Sequence, residues 1–265
     1  MTLPRLQAMK EAGEKSVCIV AWDTQMARIA DRAGADIISV GDSVGVNLWG
    51  HAHPLEVTFE EILVVAKAVR RGVSSAMVSC DFPFGPVQTG DGVAAAVRLA
   101  KEVGVDLVKL DGAGQFPEVV EAVTRAGVPV FAQFGITPQT ALKYGIAYSA
   151  AETAQVPDDM LDELVSEAKR LESAGAVALN FTNSGPVVGP AVVDAVAIPV
   201  LGGFGGGPWL DGRIRMSSAA IGYNSAWIDE EPDTYANVGR IAFEAIAECV
   251  ADIRSGRQIR GGINS

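Results

Sequence analysis

Residues 16–43, SVCIVAWDTQMARIADRAGADIISVGDS, decide the fold. An apolar run rich in Val and Ile (Ser16–Asp23) gives way to an amphipathic run (Thr24–Ala35), and a second apolar run (Asp36–Ser43) follows directly. That is the pattern of a strand, a helix and a parallel strand. The two apolar runs do not alternate with polar residues, as expected of strands covered on both faces.

The same beat continues along the chain. Further strand candidates are SAMVSCDFPFG, DLVKLDGA, PVFAQFG, VALNFTNSG, IPVLGGFGGG and RIRMSSAAIG. Helix candidates between them include TFEEILVVAKAVRRG, DGVAAAVRLAKEVG, FPEVVEAVTRAG and DDMLDELVSEAKRLESAGA. Thr58 with Glu61 has the form of a capping box, and Gly72, Gly104, Gly127 and Gly175 stand where helices should stop. About eight such units in about 250 residues predict a (β/α)8 TIM barrel as a single domain. The barrel is expected over about residues 16–225, with a C-terminal helix over about 233–256. A doubly wound open sheet is the alternative, but its first strand commonly runs into G-x-G-x-x-G, whereas this one ends VAWDTQM.

Composition narrows the partners. The 265 residues carry a formal net charge of -11, which argues against nucleic acid. No apolar run approaches the ~18 residues of a membrane span, and the N-terminal MTLPRLQAMKEAGEK lacks the apolar core of a signal peptide. Cys18, Cys80 and Cys249 are an odd, scattered set, as in a reducing cytoplasm. The expectation is a cytoplasmic protein with a small-molecule ligand.

Catalytic groups of such barrels gather where the strands end. Those ends offer Asp23, Asp42 with Ser43, Asp81, Lys109 with Asp111, Gln133, Asn180 and the glycines Gly202 to Gly207. Several carboxylates and a lysine in one mouth are costly without partners. A hard cation would supply one, and Mg²⁺ suits few carboxylates, several waters and substrate oxygens. With Lys109 alongside, such a metal suits a substrate carrying adjacent anionic oxygens, such as an α-keto acid. Simpler readings stand beside these: Asx or turn residues for Asp42 and Asp81, and an internal salt bridge for Lys109 and Asp111. His51 and His53, the chain's only histidines, read as a solvated loop rather than a zinc site. GGFGGG, with Gly203 and Gly205, either cradles phosphate or lets backbone approach a substrate closely.

Taken together, VAWD, GDSVGVNLWG, CDFPFG, VKLDGAG, AGVPVFAQFGITPQT, ESAGAVAL and DGRI resemble the ketopantoate hydroxymethyltransferase family, within the phosphoenolpyruvate mutase/isocitrate lyase superfamily. The resemblance spans about Ser16 to Gly222 in unbroken order. It implies Mg²⁺-dependent enolisation of an α-keto acid and hydroxymethyl transfer from 5,10-methylenetetrahydrofolate to 3-methyl-2-oxobutanoate, a step toward pantothenate. It also implies a homo-oligomer, to which the amphipathic C-terminal segment could contribute if it does not pack on its own barrel. By position, Asp42 and Asp81 resemble the metal ligands, and Asp111 the metal-linked acid, where the family has glutamate. Ser43 and Lys109 resemble holders of the substrate carboxylate.

Two positions depart from the family's pattern. Gln133 stands where the family has histidine, and Asn180 stands where it has the glutamate proposed as general base. FTNSGPVVGPA and GGFGGG differ as well, in loops where the folate would lie. Three functions therefore stand open: the family's reaction with another base, such as Asp111 or a metal-bound water; the same metal site acting on a different keto acid; or a non-catalytic keto-acid binder.

Overall fold

The computed structural model describes residues 1–150 and 154–261. Eight parallel strands form a closed barrel in sequential order: β1 (Ser16–Val20), β2 (Ile37–Val40), β3 (Met77–Asp81), β4 (Leu107–Leu110), β5 (Val130–Gly135), β6 (Ala178–Thr182), β7 (Val200–Gly202) and β8 (Gly212–Met216). Each expected strand is present, and closure leaves no sheet edge unpaired. The helices are α1 (Leu3–Glu11), α2 (Thr24–Arg32), α3 (Val44–Leu48), α4 (Phe59–Arg70), α5 (Gly92–Glu102), α6 (Pro117–Arg125), α7 (Leu161–Ser173), α8 (Val188–Ala195), α9 (Ser217–Ile221) and α10 (Val238–Ser255).

Local signals explain the boundaries. The capping box of α4 forms as expected: Thr58 Oγ1 accepts the Glu61 N–H at 3.3 Å, and Glu61 Oε2 accepts the Thr58 N–H at 2.8 Å. Asp23 accepts N–H groups of Gln25 and Met26, both at 2.8 Å, and caps α2. It is exposed and committed to that helix, so it stands outside the cluster of buried acids.

By contacts the chain divides into two compact units, Met1–Arg215 and Met216–Ser265. In the second, Asn237 caps α10 by accepting the Arg240 N–H at 3.0 Å and donates to Trp227 O at 2.9 Å. Phe243, Ile246, Val250 and Ile253 on α10 are exposed. Among the described residues no helix is long and apolar enough to cross a membrane.

The first unit is organised around the barrel interior. Cys18, Ile37, Met77, Leu107, Phe131, Ala178 and Leu201, one from each of β1 to β7, form a single buried cluster with Leu6 of α1. Helix α1 was not foreseen. Its Leu3, Leu6 and Met9 supply a short apolar stripe, with Leu6 and Met9 buried. Side chains alternate along a strand. If those seven residues face inward, then Ser39, Ser79, Lys109, Gln133 and Asn180, two places further on, also face inward. Asp81, Asp111 and Thr182 follow at the next inward places. An apolar floor therefore lies beneath a polar ceiling on the same strands.

Leu6→Ala should open a cavity in that floor and destabilise the protein by about 2–5 kcal/mol. Urea unfolding of the two proteins checks this, with Leu3→Ala, at a partly buried site, expected to cost less.

Candidate active site

The polar ceiling is divided by charge. Its β2, β3 and β4 side holds Asp42, Asp81, Lys109 and Asp111, all buried. Asp81 and Lys109 are register partners on adjacent strands, and Lys109 Nζ lies 2.9 Å from Asp81 Oδ1. The salt bridge expected within VKLDG thus forms across the sheet, with Asp81 rather than Asp111. The backbone N–H of Asp42 also donates to the Asp81 carboxylate.

One residue outside the predicted set holds this cluster together. Gln139 Nε2 donates to Asp42 Oδ2 at 2.9 Å and to Phe82 O at 3.0 Å, while the Gln139 N–H reaches Asp111 Oδ2 at 3.3 Å. From the loop after β5, Gln139 therefore binds the ends of β2, β3 and β4. Its only sequence signal was its place in the TPQ of ITPQT. Ser43 stands just before α3, makes no capping hydrogen bond with its side chain, and is half-buried beside this group. A Cβ on Gly41 would lie 2.7 Å from Ser43 Oγ, so the glycine lets that hydroxyl sit close against the strand end.

Three carboxylates against one ammonium leave the cluster short of positive charge. Burial, then the charges of Asp81 and Asp111, push the Asp42 carboxyl up to about 8, against the opposing hydrogen bond from Gln139 and the charge of Lys109. Burial also raises Asp111 to about 6, although the Thr137 hydroxyl, Lys109 and the Gln139 amide pull it down. Asp81 is raised by burial and held back by Lys109. Burial works against the charge on Lys109, but the field and hydrogen bond of Asp81, with Asp42, outweigh it and its pKa rises.

Among the described residues no three His, Cys, Asp or Glu side chains come together as a ready-made metal cluster. The donor set still fits a hard cation. Asp111 Oδ1 is buried without a hydrogen-bond donor, and the repulsion that adds to burial in raising Asp42 is what a divalent ion relieves. Mg²⁺ takes one or two carboxylates and completes its shell with water and ligand oxygens.

The β5 and β6 side is neutral. Gln133 and Asn180 are register partners, and Gln133 Nε2 donates to Thr182 Oγ1 at 3.2 Å. Asn180 is buried and its Oδ1 has no partner. Neither Thr182 nor Asn183 was singled out from the sequence. Asn183 is the one non-glycine residue with positive φ, at 60°, among the described residues. Its Nδ2 donates to Ile136 O at 2.9 Å, its N–H to Phe204 O at 2.7 Å, and its carbonyl accepts from Val156 N at 2.8 Å.

The glycines of GGFGGG serve that packing. A Cβ on Gly205, where φ is +60°, would lie 2.7 Å from Asn183 Cα, and one on Gly203 would lie 3.1 Å from Ile214 O. The close approach they allow is to neighbouring backbone. His51 and His53 are half-buried rather than fully solvated. His53 caps the turn Pro54–Glu56 by accepting the Leu55 N–H at 3.2 Å, and its ring lies 5.7 Å from that of Tyr148.

The profile of a family described as ketopantoate hydroxymethyltransferase matches residues 1–258. The chain belongs to the ketopantoate hydroxymethyltransferase family. The 3-methyl-2-oxobutanoate hydroxymethyltransferase of Salinibacter ruber is 35% identical over 257 residues, covering 96% of this chain and 95% of that one. Among solved structures, the phosphoenolpyruvate phosphomutase of Streptomyces platensis subsp. rosaceus superposes with a TM-score of 0.60 at 18% identity, covering 97% of this chain and 89% of that one. A phosphonopyruvate hydrolase solved with oxalate and Mg²⁺ gives 0.59 at 17%, with the same coverage. These two likenesses bear on the barrel alone, while membership of the hydroxymethyltransferase family makes the chain an enzyme.

The raised carboxyls predict how stability follows pH. An unfolded aspartate titrates near ~4, whereas Asp111 and Asp42 hold protons to about 6 and about 8. Between those limits the folded state binds more protons than the unfolded chain, so stability falls as pH rises. Chemical denaturation in chelator should show that decline, and Asp42→Asn should flatten its upper half. A level profile would mean that these carboxylates ionise without cost.

Proposed function

We propose that the enzyme enolises a small α-keto acid with the help of Mg²⁺ and joins a one-carbon unit to it, as in hydroxymethyl transfer from 5,10-methylenetetrahydrofolate to 3-methyl-2-oxobutanoate. The observation that carries this reading is the set of buried carboxylates Asp42, Asp81 and Asp111 around Lys109, short of positive charge and with Asp111 Oδ1 left without a donor. Asp42 and Asp81 would hold the cation, with Asp111 linked to it. When bound, the ion supplies positive charge for the negative charge that develops on the keto oxygen as C3 loses its proton.

The protein's own groups do the rest. Lys109 and Ser43 hold the substrate carboxylate and fix which face of C3 is presented. Gln139 keeps the carboxylates from moving apart as their charge changes. The barrel floor excludes water from below, which strengthens every electrostatic contact in the mouth. Asn180 cannot take the C3 proton, so Asp111, the acid whose pKa is raised only to about 6, is the assigned base. Gly203 and Gly205 shape the wall that the substrates meet.

The exposed apolar stripe on α10 supports a homo-oligomer, a partner of the same chain. The negative net charge and three unpaired cysteines support a cytoplasmic setting with no nucleic-acid partner.

A test without folate separates enolisation from transfer. In D₂O with Mg²⁺, the C3 proton signal of 3-methyl-2-oxobutanoate should disappear slowly, and chelator or Asp111→Asn should stop the loss. Restoring a base with Asn180→Glu should speed exchange by about 10²–10⁴. Retention of the signal at concentrations where the keto acid binds would count against the reading. So would exchange that ignores chelation.

A further inference from the structure

Trp22, the neighbour of the capping Asp23 in VAWD, stands just beyond β1 and is buried. Its indole N–H donates to Gly41 O at 3.1 Å, and the same carbonyl accepts the Val44 N–H at 3.1 Å. A buried indole N–H usually finds some acceptor. This one falls on the peptide that joins Gly41 to Asp42, at the edge of the charged cluster.

That peptide is held from both sides. Its carbonyl takes Trp22 and Val44, while its N–H donates to the Asp81 carboxylate, which Lys109 pairs from the next strand. One planar unit therefore carries the Asp42 side chain and fixes the Asp81 side chain. Glycine leaves an adjoining peptide freer to turn than any other residue would, so hydrogen bonds decide its orientation. Bonds in such a row also polarise one another. Donation to a carboxylate makes the peptide oxygen a better acceptor, and the indole in turn makes the N–H a better donor.

We propose that Trp22 is a positioning residue of the cation site, setting the spacing of Asp42 and Asp81 by fixing the peptide between Gly41 and Asp42. The inference rests on the proposed function, in which those two acids hold the cation. Its consequence is selective. Mg²⁺ demands a near-ideal octahedron with short bonds, whereas Ca²⁺ tolerates varied numbers and angles of oxygen ligands. Loosening the peptide therefore harms Mg²⁺ binding far more than Ca²⁺ binding. A tryptophan that merely filled space would affect the two ions alike.

Titration calorimetry of Mg²⁺ and of Ca²⁺ with the wild-type and Trp22→Phe proteins tests this. The variant keeps a ring and loses the donor. It should bind Mg²⁺ about three- to tenfold more weakly and Ca²⁺ within about twofold of the wild type, with thermal melting to verify that it folds. The wild-type protein supplies a second measurement that needs no variant. With nitrogen-15 in its tryptophans, the Trp22 indole proton is recognised by its NOE to the Val44 amide proton, since both point at one oxygen. Charge drawn from Asp81 by bound Mg²⁺ weakens the bond to the Asp42 N–H and depolarises the peptide, so the indole proton should move upfield as Mg²⁺ is added. Equal losses for both ions, no loss for either, or an indole resonance that ignores Mg²⁺ would overturn the role of Trp22 and leave the cation site standing. Absence of Mg²⁺ binding to the wild-type protein would overturn both, and the cation reading would fall first.

Discussion

Everything at the mouth of this barrel depends on a shortage of positive charge. Lys109 is the single ammonium among Asp42, Asp81 and Asp111, and all four are buried. At low dielectric such a group persists only if something offsets the repulsion. Lys109 offsets part through Asp81. Gln139 offsets part by donating to Asp42 and Asp111. The remainder is the charge deficit on which the proposed cation site rests.

The fold was largely legible because its signals are local. Runs such as VFAQF and VSCD are apolar enough to be strands buried on both faces, and Thr58 with Glu61 announces a helix within four residues. Helix α1 escaped because MTLPRLQAMKEAGEK is short and mostly polar. Its role depends on Leu6 meeting residues of β1 to β7, a relation that no window of sequence contains.

The site was legible in its charges and in the strand-end places of Gln133 and Asn180, but not in the hydrogen bonds its amides make. Asp42, Asp81, Lys109 and Asp111 stand out wherever strands end, because burying an acid or a lysine needs a reason. Gln139 reaches Asp42 across 97 positions of chain, and Gln133 reaches Thr182 across 49. A neutral polar residue gains much of its meaning from its partner, so Gln139 and Thr182 stayed unremarkable although Gln133 did not. The glycines of GGFGGG were visible as special, but the reason for Gly205 is the Asn183 backbone pressed against it.

Asn183 gives the last consequence. Its left-handed backbone is tolerated because asparagine adopts that conformation more readily than other residues with a side chain. From that position it joins the segments following β5, β6 and β7 through Ile136, Val156 and Phe204. Three loops that in most barrels diverge independently are here fastened to one residue. A lineage altering its chemistry on this scaffold has little freedom to lengthen or trade one loop at a time. It can still exchange side chains on the inward strand places, where a glutamate may become an asparagine without disturbing a single turn. Change in this enzyme is thus confined to the interior wall.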